Sequence, residues 1–452
     1  MNNMRRTVLA LILSNVVAAA THAQTPPVVT HAFSIAQCLD YSRQHNVQVK
    51  NAILDLQIQE QTNKGITSGA LPSVTATATT QDFFKTPITL VPAEFFGGQP
   101  GTFEPVSFQP KYGANGSITV TQTIFDGQVF IGLQARRASI DLSQKAIDLT
   151  AEAISVNIHK AYFQLVVSKT QMEEIDANIA RASKLFHDAG VMYQNGFAEK
   201  LDVDKANVQL ANLQTQKVTT QRTINNGYLA LKYLMGMPIR DSLELTDKFT
   251  EDDLKSGVLD DTAYRYENRN DYQDLEITQK LEEYNVKRYR YAYYPTLSVN
   301  ASYQKNALAN TYNFFGPNGT WYTTSFAGLT LTVPIFTGFQ KNANLQKSRL
   351  QLFQTQNQID NLKNSIDNDV TQAQNNFRAA ITTVDNQREN MKLAESVYDQ
   401  TKKKYESGLA SNTDLTNTQT DLITAQTNYI SAMYDAVIAK VDYLKAVGKL
   451  KY

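Results

Sequence analysis

The sequence predicts a mixed, mainly α-helical protein in which long coiled-coil helices are joined to short β-strands of the membrane-barrel type. Three observations predict this class. One segment runs for 69 residues, from Phe339 to Ser407, without glycine or proline; four segments alternate apolar with small polar residues; and the whole pattern recurs about 212 residues apart. We therefore expect two copies of one unit to make up most of the 452 residues.

The uninterrupted run carries a narrow apolar stripe. Apolar or small residues recur at every seventh position, at Leu345, Leu352, Ile359, Ile366, Ala373 and Ala380. A seven-residue repeat is typical of a coiled-coil seam. At 1.5 Å per residue such a helix is about 100 Å long. The sequence therefore predicts a rod rather than a compact domain.

The internal repeat is clearest at the ends of the long helices. Tyr193-Gln-Asn-Gly196 matches Tyr405-Glu-Ser-Gly408, and Asp202 then falls on Asp414 at the same offset of 212 residues. Unit 1 is predicted to span 24–238 and unit 2 to span 262–452. Each is expected to form a helix, a β-hairpin (71–125 or 295–336), a long helix and a shorter helix. The acidic segment 239–261 links the units and is expected halfway along the rod.

The strand candidates lie at 73–79, 117–121, 297–303 and 329–333, each pair preceded by a predicted helix (Ser34–Lys64 or Thr262–Tyr293). Their alternation and scarcity of charge are the pattern of transmembrane β-barrel strands. A soluble hairpin with one buried face would give the same alternation. If the strands lie in lipid, four of them leave open edges, so several chains must each contribute four strands to one barrel.

Aromatic residues flank these strands on both sides. The candidates for an interfacial girdle are Phe83, Phe84, Phe314, Phe315 and Trp321 in the loops within the hairpins, and Tyr293 and Tyr294 before the second hairpin. Aromatic belts of this kind mark both interfaces of outer-membrane barrels. The alternative is that the tyrosines simply cover the end of a helix.

The N-terminus predicts export. Arg5-Arg6, an apolar run from Val8 to Ala20 and small residues up to Ala23 are typical of a signal peptide spanning 1–23. The chain carries 43 basic and 43 acidic residues, and no basic patch suggests nucleic acid as a partner. With Cys38 as its single cysteine, the chain cannot form an intramolecular disulfide.

The sequence offers little to support enzymatic chemistry. Its five histidines have no metal-ligand spacing with one another or with the cysteine. The glycines of Gly97-Gly98-Gln-Pro-Gly101 do not precede a helix as a phosphate-binding turn requires. We expect no catalytic residues, no cofactor and no metal. A soluble periplasmic coiled-coil adaptor or scaffold is the alternative that the helical pattern also allows.

These features together resemble the TolC family of outer-membrane efflux proteins. The resemblance rests on the doubled order of elements, the strand entries Leu71-Pro72 and Tyr294-Pro295, the strand exit Val333-Pro-Ile-Phe-Thr-Gly338 and the paired helix ends. It implies a homotrimer whose twelve-stranded barrel in the outer membrane continues into a helical tunnel across the periplasm. It also implies an exit duct for drugs or toxic compounds, working with a periplasmic adaptor and an inner-membrane pump of the RND or ABC type. A type I protein-secretion duct is the alternative within the family.

The resemblance further implies that the tunnel is narrowed at its periplasmic tip. The implied constriction comprises Tyr405, Gly408, Asp414 and Asn417, and the matching turn of unit 1 comprises Tyr193, Gly196 and Asp202. Three copies of Asp414 around an axis would form an acidic ring that attracts cations. Asp414 can equally cap the helix that follows Ser411-Asn412-Thr413. Ala410 stands where some relatives have arginine and Asn417 where some have a second aspartate, so an arginine-based latch is not expected.

Overall fold

The computed structural model describes residues 30–247, 254, 264–317 and 319–450, so the predicted signal peptide and most of the acidic segment lie outside the described residues. The elements in chain order are β1 (Thr30–Phe33), α1 (Ile35–His45), α2 (Val47–Ser68), β2 (Ser73–Asp82), β3 (Thr89–Pro92), β4 (Phe103–Val106), β5 (Tyr112–Phe125), α3 (Gly127–Gln194), α4 (Lys200–Met235), β6 (Ser242–Leu245), α5 (Asn270–Tyr291), β7 (Thr296–Ala309), β8 (Tyr322–Thr332), α6 (Gln340–Glu406) and α7 (Asn412–Ala446).

Two long helices organise the molecule. α3 has 68 residues and α6 has 67, so each is about 100 Å long. α3 packs against α2 and α4, and α6 packs against α5 and α7. The predicted heptad residues Ile359 and Ile366 are buried in the core between these helices. No helix in the described part of the chain is both long enough and apolar enough to span a membrane.

The four long strands form one antiparallel sheet in the order β2-β5-β7-β8. Both predicted hairpins are present, as β2 with β5 and β7 with β8, and pairing between β5 and β7 joins them into a single sheet. The strands are 10 to 14 residues long and extend beyond the predicted segments. Each strand leads directly into or out of a helix, which makes the sheet one end of the rod.

The register sorts the side chains of the sheet by polarity, because directly paired residues share a face. One face carries mainly apolar residues: Val74, Ala76, Ala78, Ile118, Val120, Leu297, Val299, Ala301, Leu329 and Leu331. The other carries mainly hydroxyl and amide residues: Ser73, Thr75, Thr77, Thr79, Asn115, Ser117, Thr119, Thr121, Asn300, Ser302, Gln304, Thr324 and Thr330. The apolar face also carries the polar residues Thr80, Asp82, Gln122, Lys305, Thr323 and Ser325, and the polar face carries Leu308 and Phe326.

The prediction of one continuous helix over Ser34–Lys64 is wrong, because the structure has two helices there. The break lies at Asn46, whose backbone is extended (φ −62°, ψ 130°). The Asn46 carboxamide oxygen accepts a hydrogen bond from the backbone N–H of Gln48 at 2.7 Å, and its amide donates to the Leu234 carbonyl at 2.7 Å. The side chain thus starts α2 and ties it to the end of α4. This second contact spans 188 residues and leaves no local trace in the sequence.

The second predicted helix, Thr262–Tyr293, begins eight residues late among the described residues. α5 starts at Asn270 because Arg269 is extended. The Arg269 guanidinium lies 2.6 Å from the Asp271 carboxylate and donates to the Ala446 carbonyl at 3.3 Å. Arg269 therefore binds a carbonyl at the end of α7, just as Asn46 binds a carbonyl at the end of α4.

Glycines close both of these junctions near the middle of the rod. Gly236 and Gly448 each have a φ of 71°. A Cβ atom at Gly236 would lie 2.5 Å from the carbonyl oxygen of His45, and one at Gly448 would lie 2.7 Å from that of Asn268. Both the positive φ and the close backbone approach require glycine at these positions.

Two small strand pairs were missed by the sequence prediction. β1 pairs with β6 in parallel, and β6 lies within the segment predicted only as an acidic linker. β3 pairs with β4 inside the loop of the first predicted hairpin, 71–125. All four strands are four residues long. Such short segments show too little alternation to be recognised before their partners are known.

Candidate functional site at the hairpin tips

The two long helices end in the same kind of turn at the far end of the rod. Gly196 (φ 78°) and Gly408 (φ 72°) both adopt the left-handed conformation that ends many helices. In each turn the glycine N–H donates to the carbonyl of the tyrosine three residues earlier, Tyr193 or Tyr405, at 3.0 Å. The next N–H reaches five residues back at 2.8 Å in both turns. The chain reversal is thus built identically in the first tip (191–205) and the second tip (403–417).

The two tips pack against each other. All four adjoining helices supply buried residues to one cluster, comprising Leu185, Ala206, Tyr398, Leu415 and Leu422. The Asn412 amide donates to the Asp202 carbonyl at 3.2 Å, and the Lys205 ammonium donates to the Thr413 hydroxyl at 3.1 Å. The structure therefore brings the two predicted tip turns together as one end of the rod.

Asp414 is a charged residue of this end whose side chain is held by hydrogen bonds. It is the third residue of α7, and its carboxylate accepts hydrogen bonds from the Ser411 hydroxyl at 2.7 Å and the Ser411 N–H at 3.0 Å. The Ser411 oxygen in turn accepts from the Asp414 N–H at 3.1 Å. This reciprocal arrangement is a capping box. The cap predicted as one alternative for Asp414 is present.

Hydrogen bonding also fixes the ionisation of this group. The bonds from the Ser411 hydroxyl and N–H lower the pKa of the Asp414 carboxyl, because they favour its charged form. The side chain remains exposed, as does that of Asn417 one turn later. The cap therefore holds a negative charge in one orientation at the surface of the tip without burying it.

The corresponding carboxylate of the first tip is held differently. Glu199 stands at the N-cap of α4 and makes no side-chain capping bond, so the half-buried Asp202 has no counterpart of the Ser411 partner. Asp202 meets the second tip through its backbone carbonyl instead. The repeat thus places carboxylates at equivalent positions in unequal surroundings.

Tyr405 connects the tips through its ring. Its hydroxyl lies 3.6 Å from the sulfur of Met192. Partial burial raises the pKa of the Tyr405 hydroxyl, and the charges of Asp202 and Asp188 raise it further. Tyr405 is therefore a neutral hydrogen-bonding group at physiological pH. Its counterpart in the first tip, Tyr193, is 46% exposed.

The aromatic girdle candidates lie at both ends of the sheet. Phe84 follows β2 at the end distant from the helices and is 94% exposed, and Phe315 beyond β7 is 81% exposed. Phe83, adjacent to Phe84, is half-buried. Tyr293 and Tyr294 precede β7 at the opposite, helical end and are about half exposed, at 47% and 53%.

Phe314 differs from the other girdle candidates because the protein itself buries it. It is 3% exposed and packs on Ala114 and Ala307 of the apolar sheet face. The Trp321 indole donates to the Phe314 carbonyl at 3.0 Å, which closes the loop over this contact. The girdle position of Phe314 stays a prediction, and the structure shows that its ring packs on the sheet. Its role is to anchor the loop.

Asn412 and Lys205 are tip residues that sequence reasoning missed. Their contacts join residues about 210 positions apart, and only the doubled turn pattern hints that such neighbours exist. Among the residues that the structure describes, no group of three or more His, Cys, Asp or Glu side chains is arranged to hold a metal ion.

Part of the chain matches a known family. The family model described as outer membrane efflux protein matches residues 266–449. Outer membrane protein TolC of Vibrio cholerae serotype O1 is 18% identical over 334 residues, which cover 74% of this chain and 76% of that protein.

Solved structures agree with the fold over nearly the whole chain. The CmeC outer membrane channel of Campylobacter jejuni matches with a TM-score of 0.72 and 16% identity, covering 95% of this chain and 90% of that chain. The outer membrane protein VceC of Vibrio cholerae matches with a TM-score of 0.70 and 15% identity, covering 92% and 96%. With its rod of long helices and its four-stranded sheet, the chain has the fold of these outer-membrane channels, and its residues 266–449 match the outer membrane efflux protein family. It is a protein of the outer membrane.

Proposed function

We propose that three copies of this chain form an outer-membrane exit duct of a tripartite efflux pump. The duct passes small molecules such as drugs or toxic compounds from the periplasm to the exterior. It works with a periplasmic adaptor and an inner-membrane pump of the RND or ABC type. The observation that carries the proposal is the two-faced sheet with open edges at one end of a rod of about 100 Å.

The open edges argue for several copies. β2 and β8 are the outer strands, and each is paired on one side only. In lipid an unpaired strand edge leaves backbone groups without hydrogen bonds, at a cost of several kcal/mol per group. Pairing β8 of one copy with β2 of the next removes both edges, and three copies give twelve strands.

The helices have matching open edges. The helical layer ends on one side with α2 and α4 and on the other side with α6. These outer helices expose apolar side chains: Val47, Leu54 and Ile58 on α2, Leu201, Val208, Val218 and Leu229 on α4, and Leu350, Phe353, Leu393 and Val397 on α6. Apolar stripes on both edges of the same layer favour lateral packing between copies of the chain.

The two faces of the sheet fit a channel wall. A closed barrel with the apolar face outward meets lipid with aliphatic residues and lines its interior with hydroxyl and amide groups. Such an interior is wet and has few charges. We therefore assign selectivity mainly to the pump, with the Asp414 carboxylates supplying the fixed charge at the opposite end of the duct.

The test is planar-bilayer conductance of the purified, detergent-extracted protein, with the oligomeric mass measured in the same sample. Trimers that give small, cation-preferring channels support the duct. A detergent-independent soluble species without conductance would overturn it in favour of a periplasmic scaffold.

The pump assignment needs a cellular test. Cells lacking their own outer-membrane efflux proteins are given this chain together with the adaptor and pump genes that neighbour it. Restored resistance to toxic compounds supports efflux. Restored export of a large protein together with an ABC transporter, and no gain in resistance, would replace efflux by type I secretion.

A further inference from the structure

Lys305 is a charged side chain on the apolar sheet face, toward the end of the sheet distant from the helices, and Asp82 at the end of β2 lies on the same face. Lys305 lies on β7 and is exposed, and in the register it stands between Gly116 of β5 and Thr323 of β8. Among the described residues its ammonium has neither a hydrogen-bond nor an ion-pair partner. A cation kept on a face of aliphatic residues calls for an anionic partner from outside the chain.

Lys305 lines an open cleft on this face of the sheet. The volume of the cleft is about 510 Å³, and its lining includes Ala76, Ile118, Tyr303, Lys305, Phe315 and Trp321. Gly116 opens the cleft, because a Cβ atom there would have no neighbour within 4 Å. The lining is therefore mainly apolar, with the hydroxyl residues Thr77 and Ser117 and the charged Lys305 beside the apolar side chains.

The aromatic wall of the cleft is held in place. Phe314 is buried on Ala114 and Ala307, and its carbonyl accepts the Trp321 indole N–H. The rings of Phe315 and Trp321 are 6.0 Å apart. The loop that carries them is thus pinned to the sheet, and the cleft does not depend on a free loop.

The depth of Lys305 in the proposed barrel indicates which part of a lipid lies beside its ammonium. This inference rests on the proposed function. Eight residues separate Leu297, at the helical end of β7, from Lys305, which is about 26 Å along the strand. For strands tilted by about 40° this is about 20 Å along the membrane normal, and the apolar band of such barrels is about 25 Å tall. Lys305 therefore lies near the outer boundary of the hydrocarbon, where lipid phosphates are found.

We propose that the cleft around Lys305 binds a phosphate-bearing lipid headgroup of the outer leaflet. The ammonium contacts the phosphate, and an acyl chain lies along Ala76, Ile118 and Tyr303. β5 and β7 are the inner strands of the sheet, so a neighbouring copy that pairs at β2 or β8 leaves the cleft open to lipid. Trp321 and Tyr303 suit this depth, since their rings favour the interface.

The test is native mass spectrometry of the detergent-extracted protein with diphosphoryl lipid A as the probe. K305Q is expected to weaken retention of the lipid about tenfold, the worth of a charge-assisted hydrogen bond, while K305R retains it. K85Q is the matched control, because Lys85 is also exposed and lies in the loop at the same end of the sheet. G116V fills the cleft without removing the charge and is expected to weaken retention as well.

Equal retention by K305Q and the wild type would overturn the proposal, as would equal binding of fully dephosphorylated lipid A. Binding of inorganic phosphate that depends on Lys305, without binding of the lipid, would also overturn it and leave a simple anion site. The mass and conductance of the same samples test the duct separately. Trimeric channels without lipid retention disprove only the lipid site, whereas the absence of trimers disproves the duct.

Discussion

The two hairpin tips share a backbone and differ in one cap. Both reverse the chain through a left-handed glycine with the same pair of hydrogen bonds. Only the second tip places serine at the N-cap, and there Ser411 and Asp414 hold each other reciprocally, whereas Glu199 in the first tip caps nothing with its side chain. A shared turn therefore fixes the fold of the rod end, and one changed side chain decides which carboxylate is held in position.

The largest expected effect comes from replacing the left-handed glycine that both tips share. G408A and G196A each force a left-handed conformation on a residue with a Cβ atom, at a cost of about 1–2 kcal/mol. Both sites have open space around the missing Cβ atom, so strain is the only cost and should be similar in the two tips. Amide hydrogen exchange of the last turns of α3 and α6 measures it.

G190A is the matched control, because Gly190 lies within α3 without a positive φ and with equally open space. It should be neutral or slightly stabilising, since alanine is the better helix former. Equal loss of protection in all three variants would show that the left-handed turn is not the source of the effect.

The next largest effect is expected in the second tip only, because only that tip has a side-chain N-cap. S411A removes the cap of α7 and should cost about 1 kcal/mol of local stability, the usual worth of an N-cap serine. E199A removes no capping bond and should cost almost nothing. Hydrogen exchange of the first turns of α7 and α4 gives both values. E199S sharpens the comparison, since a serine there can pair with Asp202 and should increase protection of α4.

A smaller effect concerns conduction. D414A should weaken cation preference or raise single-channel conductance, on the order of twofold, if the three carboxylates surround the pathway. D202A is the control from the first tip, where the carboxylate is half-buried and uncapped. Channels of D414A that match the wild type in both properties would reject the constriction and leave Asp414 as a helix cap only.

The smallest effect is the pH dependence of the second tip. Because hydrogen bonds lower the pKa of Asp414 in the folded protein, its contribution is complete above the ordinary carboxyl pKa of about 4. It is lost as the pH falls through the lower folded value. Protection of the first turn of α7, corrected for intrinsic exchange rates, should therefore drop on acidification below about pH 4. D414N should abolish that part of the drop.

The sequence by itself determined the long helices, the glycine turns and the strands of the sheet. Each of these depends on a local signal. The run from Phe339 lacks helix breakers, Gly196 and Gly408 follow matching tyrosines, and small polar residues alternate with apolar ones in the strands. The Ser411–Asp414 cap is also local, since it joins residues three positions apart. Such features are encoded by neighbours in the chain, so one sequence is enough to predict them.

The tertiary structure alone decided how these pieces meet. The helix breaks at Asn46 and Arg269 are stabilised by carbonyls of Leu234 and Ala446, which are 188 and 177 residues away. Pairing of β5 with β7 and the burial of Phe314 likewise depend on partners distant in sequence. The cleft around Lys305 combines strands from both units with a folded loop. Contacts between distant residues require the folded chain to be known, because neither partner carries a local signal of the other.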